Sequence, residues 1–126
     1  MNMSIIKQVE GLKPNGHYAL AVVDRGRIYV SGQFSVSLEN GEKVFGTVED
    51  EAKRVLSNID KILKAAGSSA AKILKSTVYV DDLKNWDKIN DIYSSFFKDH
   101  IHARTIICVK ELHYGFKLEM DVIAGF

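Results

Sequence analysis

Cysteine and proline are scarce in this sequence, occurring once each as Cys108 and Pro14 among 126 residues. A single thiol excludes an internal disulfide framework and a zinc site built on several thiolates, and it fits a reducing compartment. One early proline, with no repeat, low-complexity tract or Pro/Gly/Ser-rich stretch, leaves nothing to serve as an interdomain linker. Charge excess is missing too: 17 basic residues stand against 16 acidic ones, a formal net charge of +1. A phosphate backbone demands a basic stripe, so nucleic acid is not the expected partner. No apolar run approaches a membrane span, and the opening stretch MNMSIIKQVEGLKP lacks an apolar core of signal-peptide length. With 46% apolar residues, the expectation is one soluble, cytoplasmic domain over residues 1–126 with an ordinary core.

What is present is a clear alternation of patterns. Ile5 to Val9, Tyr18 to Val23 and Ile28 to Phe34 read as short strands, with Asp24-Arg25-Gly26-Arg27 as a hairpin turn and Asn40-Gly41 as another tight turn. After Thr47, which with Asp50 resembles a capping box, the positions Val48, Ala52, Val55, Ile59, Ile62 and Ala66 form one helical stripe that Gly67 ends. Ile73 to Val80 reads as a β-branched strand. A second helix follows, capped by Asp82 or Asn85, with Trp86, Ile89, Tyr93 and Phe96 or Phe97 as its buried face. Strands over about Ala103 to Lys110 and Lys117 to Ala124 flank the loop Leu112-His113-Tyr114-Gly115. The order β-β-β-α-β-α-β-β predicts an α+β fold with both helices on one face of a mixed sheet. The last two strands carry apolar groups in both alternating sets, which predicts a homo-oligomer that covers the bare sheet face.

Arg104 stands out because His102-Ala103-Arg104-Thr105-Ile106-Ile107-Cys108-Val109 otherwise reads as a buried strand. A guanidinium keeps its charge, so an apolar setting demands an anion. That anion is either a carboxylate of the chain, Glu119 or Asp121 by pattern, or the acidic group of a ligand. A cross-strand Arg104–Glu119 ion pair is the purely structural alternative.

Asn15-Gly16-His17-Tyr18, Val30-Ser31-Gly32-Gln33, Ala65-Ala66-Gly67-Ser68-Ser69, Lys75-Ser76-Thr77-Val78-Tyr79-Val80, Ile89-Asn90-Asp91-Ile92-Tyr93, His102-Ala103-Arg104 and Leu118-Glu119 resemble, in order and over nearly the whole chain, the successive signatures of the RidA/YjgF family. The resemblance implies a chorismate-mutase-like (YjgF) fold and a homotrimer with clefts between subunits. It further implies hydrolysis of reactive 2-imino and 2-enamino acids, such as 2-aminoacrylate and 2-iminopropanoate, to 2-keto acids and ammonia, with no metal or cofactor.

Arg104 then becomes a bidentate clamp for the substrate carboxylate, and Glu119 a group that orients or accepts a proton from water. Tyr18 matches the tyrosine of the family's N-terminal loop, which borders the cleft, while Ser31 and Gly32 end a strand, where the backbone can approach a ligand without a bulky side chain. Their structural alternatives are an aromatic opening a strand and a simple strand-end bend. Ile106 stands where the family often carries a cysteine and is counted with these substrate contacts. No thiol role passes to Cys108, which reads as an inert strand residue. Asn90, in mid-helix, is expected to support the site rather than touch substrate.

Where the family commonly has proline, the chain has His17, His102 and His113, while Ala19-Leu20 and Tyr114 are further departures near the expected cleft. Metal binding is not expected, since His100 and His102 have no nameable third ligand. Two other functions stay open: a trimer that binds small carboxylates or 2-keto acids without turnover, and the endoribonuclease or translation-inhibitor activity associated with the family. The neutral charge and lack of a basic aromatic groove argue against the latter.

Overall fold

Both ends of the first helix, α1 (Val48–Ala65), are fixed by features that the sequence carries. The structure, a computed structural model, describes residues 3–126. Thr47 stays extended, and its Oγ1 accepts from the Asp50 amide at 3.1 Å, satisfying one donor of the open first turn. At the other end Gly67 adopts φ 88°. The Gly67 amide donates to the Lys64 carbonyl at 3.0 Å and the Ser68 amide to that of Leu63 at 2.9 Å, a Schellman stop. Between these ends Val48, Ala52, Val55, Ile59 and Ile62 are buried against the sheet. Each fully buried aliphatic side chain contributes roughly 1.5–3 kcal/mol.

Six strands form the sheet: β1 (Ser4–Ile6), β2 (Ala21–Asp24), β3 (Arg27–Gln33), β4 (Ile73–Val80), β5 (Ala103–Cys108) and β6 (Leu118–Ala124). Their spatial order is β1-β2-β3-β6-β4-β5, with β4 and β5 parallel and every other pair antiparallel. Arg25 and Gly26, at φ 50° and 78°, make the two-residue turn between β2 and β3. The element order is the expected one. Several boundaries move: β1 is shorter than Ile5 to Val9, β2 starts only at Ala21, so Tyr18 lies in the loop before it, and β5 ends at Cys108 rather than Lys110.

The second helix, α2 (Trp86–Phe97), crosses between the parallel strands. Asp82 caps the short turn Leu83–Asn85 ahead of it, and Asn85 makes no side-chain cap. Ile89 is buried, and of the alternatives Phe96 and Phe97 it is Phe97 that is buried, but Trp86 is 41% exposed, contrary to the buried face expected of it. The sheet ends at β5, so the outer side of α2 has no further strand to cover it. The same topology corrects the reading of β5. It is an edge strand, with Ile107 and Cys108 exposed, rather than a buried one.

One carboxylate has a structural role that no local sequence pattern marks. Glu51, in the first turn of α1, is fully buried; its Oε1 accepts from the Lys117 amide at 2.9 Å, and Lys117 Nζ lies 3.7 Å from its Oε2. Glu51 thereby anchors the residue just before β6, two positions ahead of Glu119.

Candidate active site

Glu119 lies on the sheet face that the helices leave open. In the β4–β6 register it sits opposite Tyr79, while its neighbours Leu118 and Met120 point into the core. Across from it, the register of β3 shifts between Val30 and Gln33, placing Ser31 and Gly32 at an irregularity in the strand. A Cβ on Gly32 would overlap the Glu119 carboxylate, so glycine here makes room for that group. Ser31 Oγ donates to the Ala19 carbonyl at 2.7 Å, and the Ser31 amide donates to Leu20 O at 2.9 Å. The serine thus ties the β3 irregularity to the segment behind Tyr18.

Tyr18 donates to Asn15 Oδ1 at 2.8 Å, and Asn15 Nδ2 donates to the Tyr114 hydroxyl at 2.9 Å. The two phenols form a joined rim, with His113 stacked on Tyr114 at 4.3 Å between centroids. Tyr18, Ser31, Gly32, Tyr79, Glu119 and Asp121 line one open cavity of about 770 Å³. Burial, reinforced by the Asp121 carboxylate and partly opposed by His113, pushes the Glu119 carboxyl above the ordinary carboxylate range. Tyr79 donates to Asp121 Oδ2 at 3.0 Å, and burial together with that bond raises its phenol. Among the carboxyls on this face, Glu119 is the one whose surroundings favour its protonated form beyond the ordinary carboxylate.

Arg104 belongs to the opposite face. Its register partner is Ser76, whose side chain is fully buried on the helix side. Its guanidinium carbon lies 4.7 Å from the Tyr93 ring centroid and 5.7 Å from that of Trp86. Among the described residues Arg104 makes no ion pair. Glu119 and Asp121 lie on the far side of the sheet, so the internal Arg104–Glu119 pair is ruled out within one subunit by strand parity. Arg104 faces a cavity of about 330 Å³, shared with Asn90, Tyr93, Lys98, His100 and His102 and containing no carboxylate.

Tyr93 Oη lies 2.5 Å from Ser76 Oγ and is hydrogen-bonded to His102 Nε2. His100 Nε2 lies 2.8 Å from the Ile73 carbonyl oxygen. Burial, then the nearby His100 and Arg104 charges, lower the His102 pKa to about 4. Ile106 lies on the same side as Arg104 and packs against the core. Asn90 is half-buried beside the Arg104 cavity, and Cys108 is exposed at the strand end. His17 is exposed in the loop ahead of Tyr18.

The helix-backed mixed sheet has close parallels among solved structures. A family model described as Endoribonuclease L-PSP matches residues 9–126. The chain belongs to this family, that of the RidA/YjgF proteins. A RutC family protein of Pyrococcus abyssi is 36% identical over 124 residues, covering 98% of each chain. The human 2-iminobutanoate/2-iminopropanoate deaminase is 37% identical over 109 residues, 86% of this chain and 80% of the relative. Among solved structures, Escherichia coli TdcF with bound serine superposes with a TM-score of 0.89 at 32% identity, covering 98% of both chains. A Thermotoga maritima protein described as a putative endoribonuclease gives 0.91 at 34% identity, covering 98% and 97%. The YjgF fold expected from sequence is thus this family member's fold. No helix of the described residues is long and apolar enough to cross a membrane.

Proposed function

We propose that this RidA/YjgF protein hydrolyses 2-imino and 2-enamino acids to 2-keto acids and ammonia. The observation that carries the reading is Arg104: a permanent cation in a cavity free of carboxylates, in a family whose relatives include named 2-iminobutanoate/2-iminopropanoate deaminases. The bound serine of the TdcF relative, a small molecule with a carboxylate, is consistent with such a ligand.

One subunit cannot bring Arg104 and Glu119 to the same small molecule, because they occupy opposite sheet faces. In the proposed homotrimer the edge strand of one subunit carries Arg104 to the open face of the next, where Glu119, Gly32, Ser31 and Tyr18 wait. Exposed Ile5, Tyr29 and Ile107 on the open face, at 51%, 45% and 42%, supply apolar area for that association.

Arg104 holds the substrate carboxylate with two parallel hydrogen bonds and so fixes the adjacent C=N carbon. Water adds to that carbon as ionised Glu119 takes its proton, forming the C–O bond of a carbinolamine. The imine nitrogen takes up a proton from solvent as its π bond opens, balanced by the hydroxyl proton released at the end. Glu119 then returns its proton to the amino group, the C–N bond breaks, ammonia leaves, and the hydroxyl proton is released as the keto group forms. Each cycle consumes one water.

The test generates the imine with an amino-acid oxidase and follows keto-acid release with wild type and Arg104→Ala. Acceleration by wild type that Arg104→Ala lacks supports the assignment. Equal rates in the two proteins contradict it. Saturable 2-keto-acid binding without acceleration of imine decay selects the non-catalytic carboxylate-binding reading instead.

A further inference from the structure

We propose that Tyr93 is a positioning residue for Arg104, its ring pinned by Ser76 and His102 so that the guanidinium presents its hydrogen-bonding fork in one orientation. The proposal rests on the carboxylate-binding role given to Arg104 above and adds residues that nothing in that role requires. A guanidinium lying over an aromatic face is attracted to it. It can still slide and tilt when the ring itself is free to move. Here the ring is held from both sides.

Its hydroxyl lies 2.5 Å from Ser76 Oγ and is also bonded to His102 Nε2. Ser76 is the register partner of Arg104, so the hydroxyl fastens α2 to the β4 position directly beside the one on β5 from which the arginine side chain departs. Phe97 packs against both other rings, 4.6 Å from Tyr93 and 4.6 Å, edge to face, from His102. The platform is therefore fixed by two hydrogen bonds and a packed neighbour, while Trp86 stands 5.7 Å from the same guanidinium carbon.

The direction of the hydrogen bonds follows from a buried atom. His102 Nδ1 is buried with no partner, and a proton there would be an unsatisfied buried donor. The proton belongs on Nε2, which donates to Tyr93 Oη and leaves the phenol free to donate to Ser76 Oγ. A neutral imidazole suits this place, since a charged one would repel Arg104 across the shared cavity. The lowered pKa of His102 agrees with that arrangement.

The experiment measures pyruvate binding by calorimetry, with circular dichroism and the melting temperature confirming that each variant folds. Tyr93→Phe keeps the ring and removes the pin, and should weaken pyruvate about three- to ten-fold. His102→Ala should match it, whereas His102→Gln, which restores an N–H donor, should recover most of the loss. In an Arg104→Lys background, where a compact ammonium has no plane to stack, Tyr93→Phe should cost less than about two-fold. Wild-type affinity in Tyr93→Phe or in His102→Ala overturns the proposal. So does a Tyr93→Phe loss that is undiminished in the Arg104→Lys background, or no recovery with His102→Gln. If Arg104→Ala binds pyruvate as wild type does, the carboxylate-clamp reading fails and takes this proposal with it. If Arg104→Ala loses binding while the Tyr93 and His102 variants keep it, only the positioning role fails.

Discussion

Gly32→Ala separates stability from chemistry in this fold. A Cβ at Gly32 would stand 2.9 Å from Glu119 Cδ and nearer still to its Oε2, against ordinary contacts of 3.4–4 Å, so the carboxylate must retreat. The retreat is about 1 Å, a misplacement that can cost on the order of 100-fold in rate. Stability is affected much less. Gly32 is not among the glycines with positive φ, so alanine can take its backbone conformation. The substitution then gains about 0.4–1 kcal/mol by restricting the unfolded chain. An off-rotamer Glu119 costs back about 0.5–1.5 kcal/mol. The net change is within about 1 kcal/mol, a few degrees in Tm for a domain of this size. The assay is keto-acid release from an enzymatically generated imine, with thermal denaturation in parallel. A Gly32→Ala protein with wild-type kcat refutes the role given to the Glu119 position, and a loss above about 3 kcal/mol refutes the claim that only a flexible side chain must yield.

Glu119 and Glu51 give two further tests. The folded-state pKa of Glu119 is raised, so ionising it disfavours the folded state as pH climbs through the ordinary carboxylate range and beyond. Glu119→Gln should therefore raise Tm at neutral pH, with a gain that shrinks toward acid, and Tm measured across pH checks the sign; a gain growing toward acid would contradict it. Glu51→Ala leaves the Lys117 amide without its acceptor and removes a buried ion-pair partner, and should cost about 3 kcal/mol in urea unfolding. A loss within the surface range of about 0.5 kcal/mol would show that Glu51 does not anchor β6.

Local patterns carried far into this fold. The α1 stripe, the Thr47 cap and the Gly67 stop depend only on neighbours within a few residues, and each appears where the sequence places it. Features that depend on which strand lies beside which were less legible. Arg104 and Glu119 each occupy a readable position in an alternating strand, but whether they share a face depends on two registers passing through β4. No periodicity within either strand contains that information. Trp86 fits a helical stripe as well as Ile89 does, yet it lies above the sheet edge and stays exposed. Glu51 reads as a first-turn acid favoured by the helix dipole, and only the fold reveals that it is buried against the start of β6. Even the apolar character of both sets in β5, which reads as a strand covered on both faces, belongs to an edge whose cover the proposed oligomer must supply.

The central claim is that Arg104 of one subunit and Glu119 of another complete a single site, and subunit mixing tests it most directly. Arg104→Ala and Glu119→Gln proteins are each assayed alone, then unfolded together in equal amounts and refolded, with the reassembled oligomer isolated by size. In a randomly mixed trimer half the subunits retain Arg104 and half of their partners retain Glu119, so about a quarter of wild-type activity should return. A mixture no more active than either variant alone would contradict a site shared between subunits.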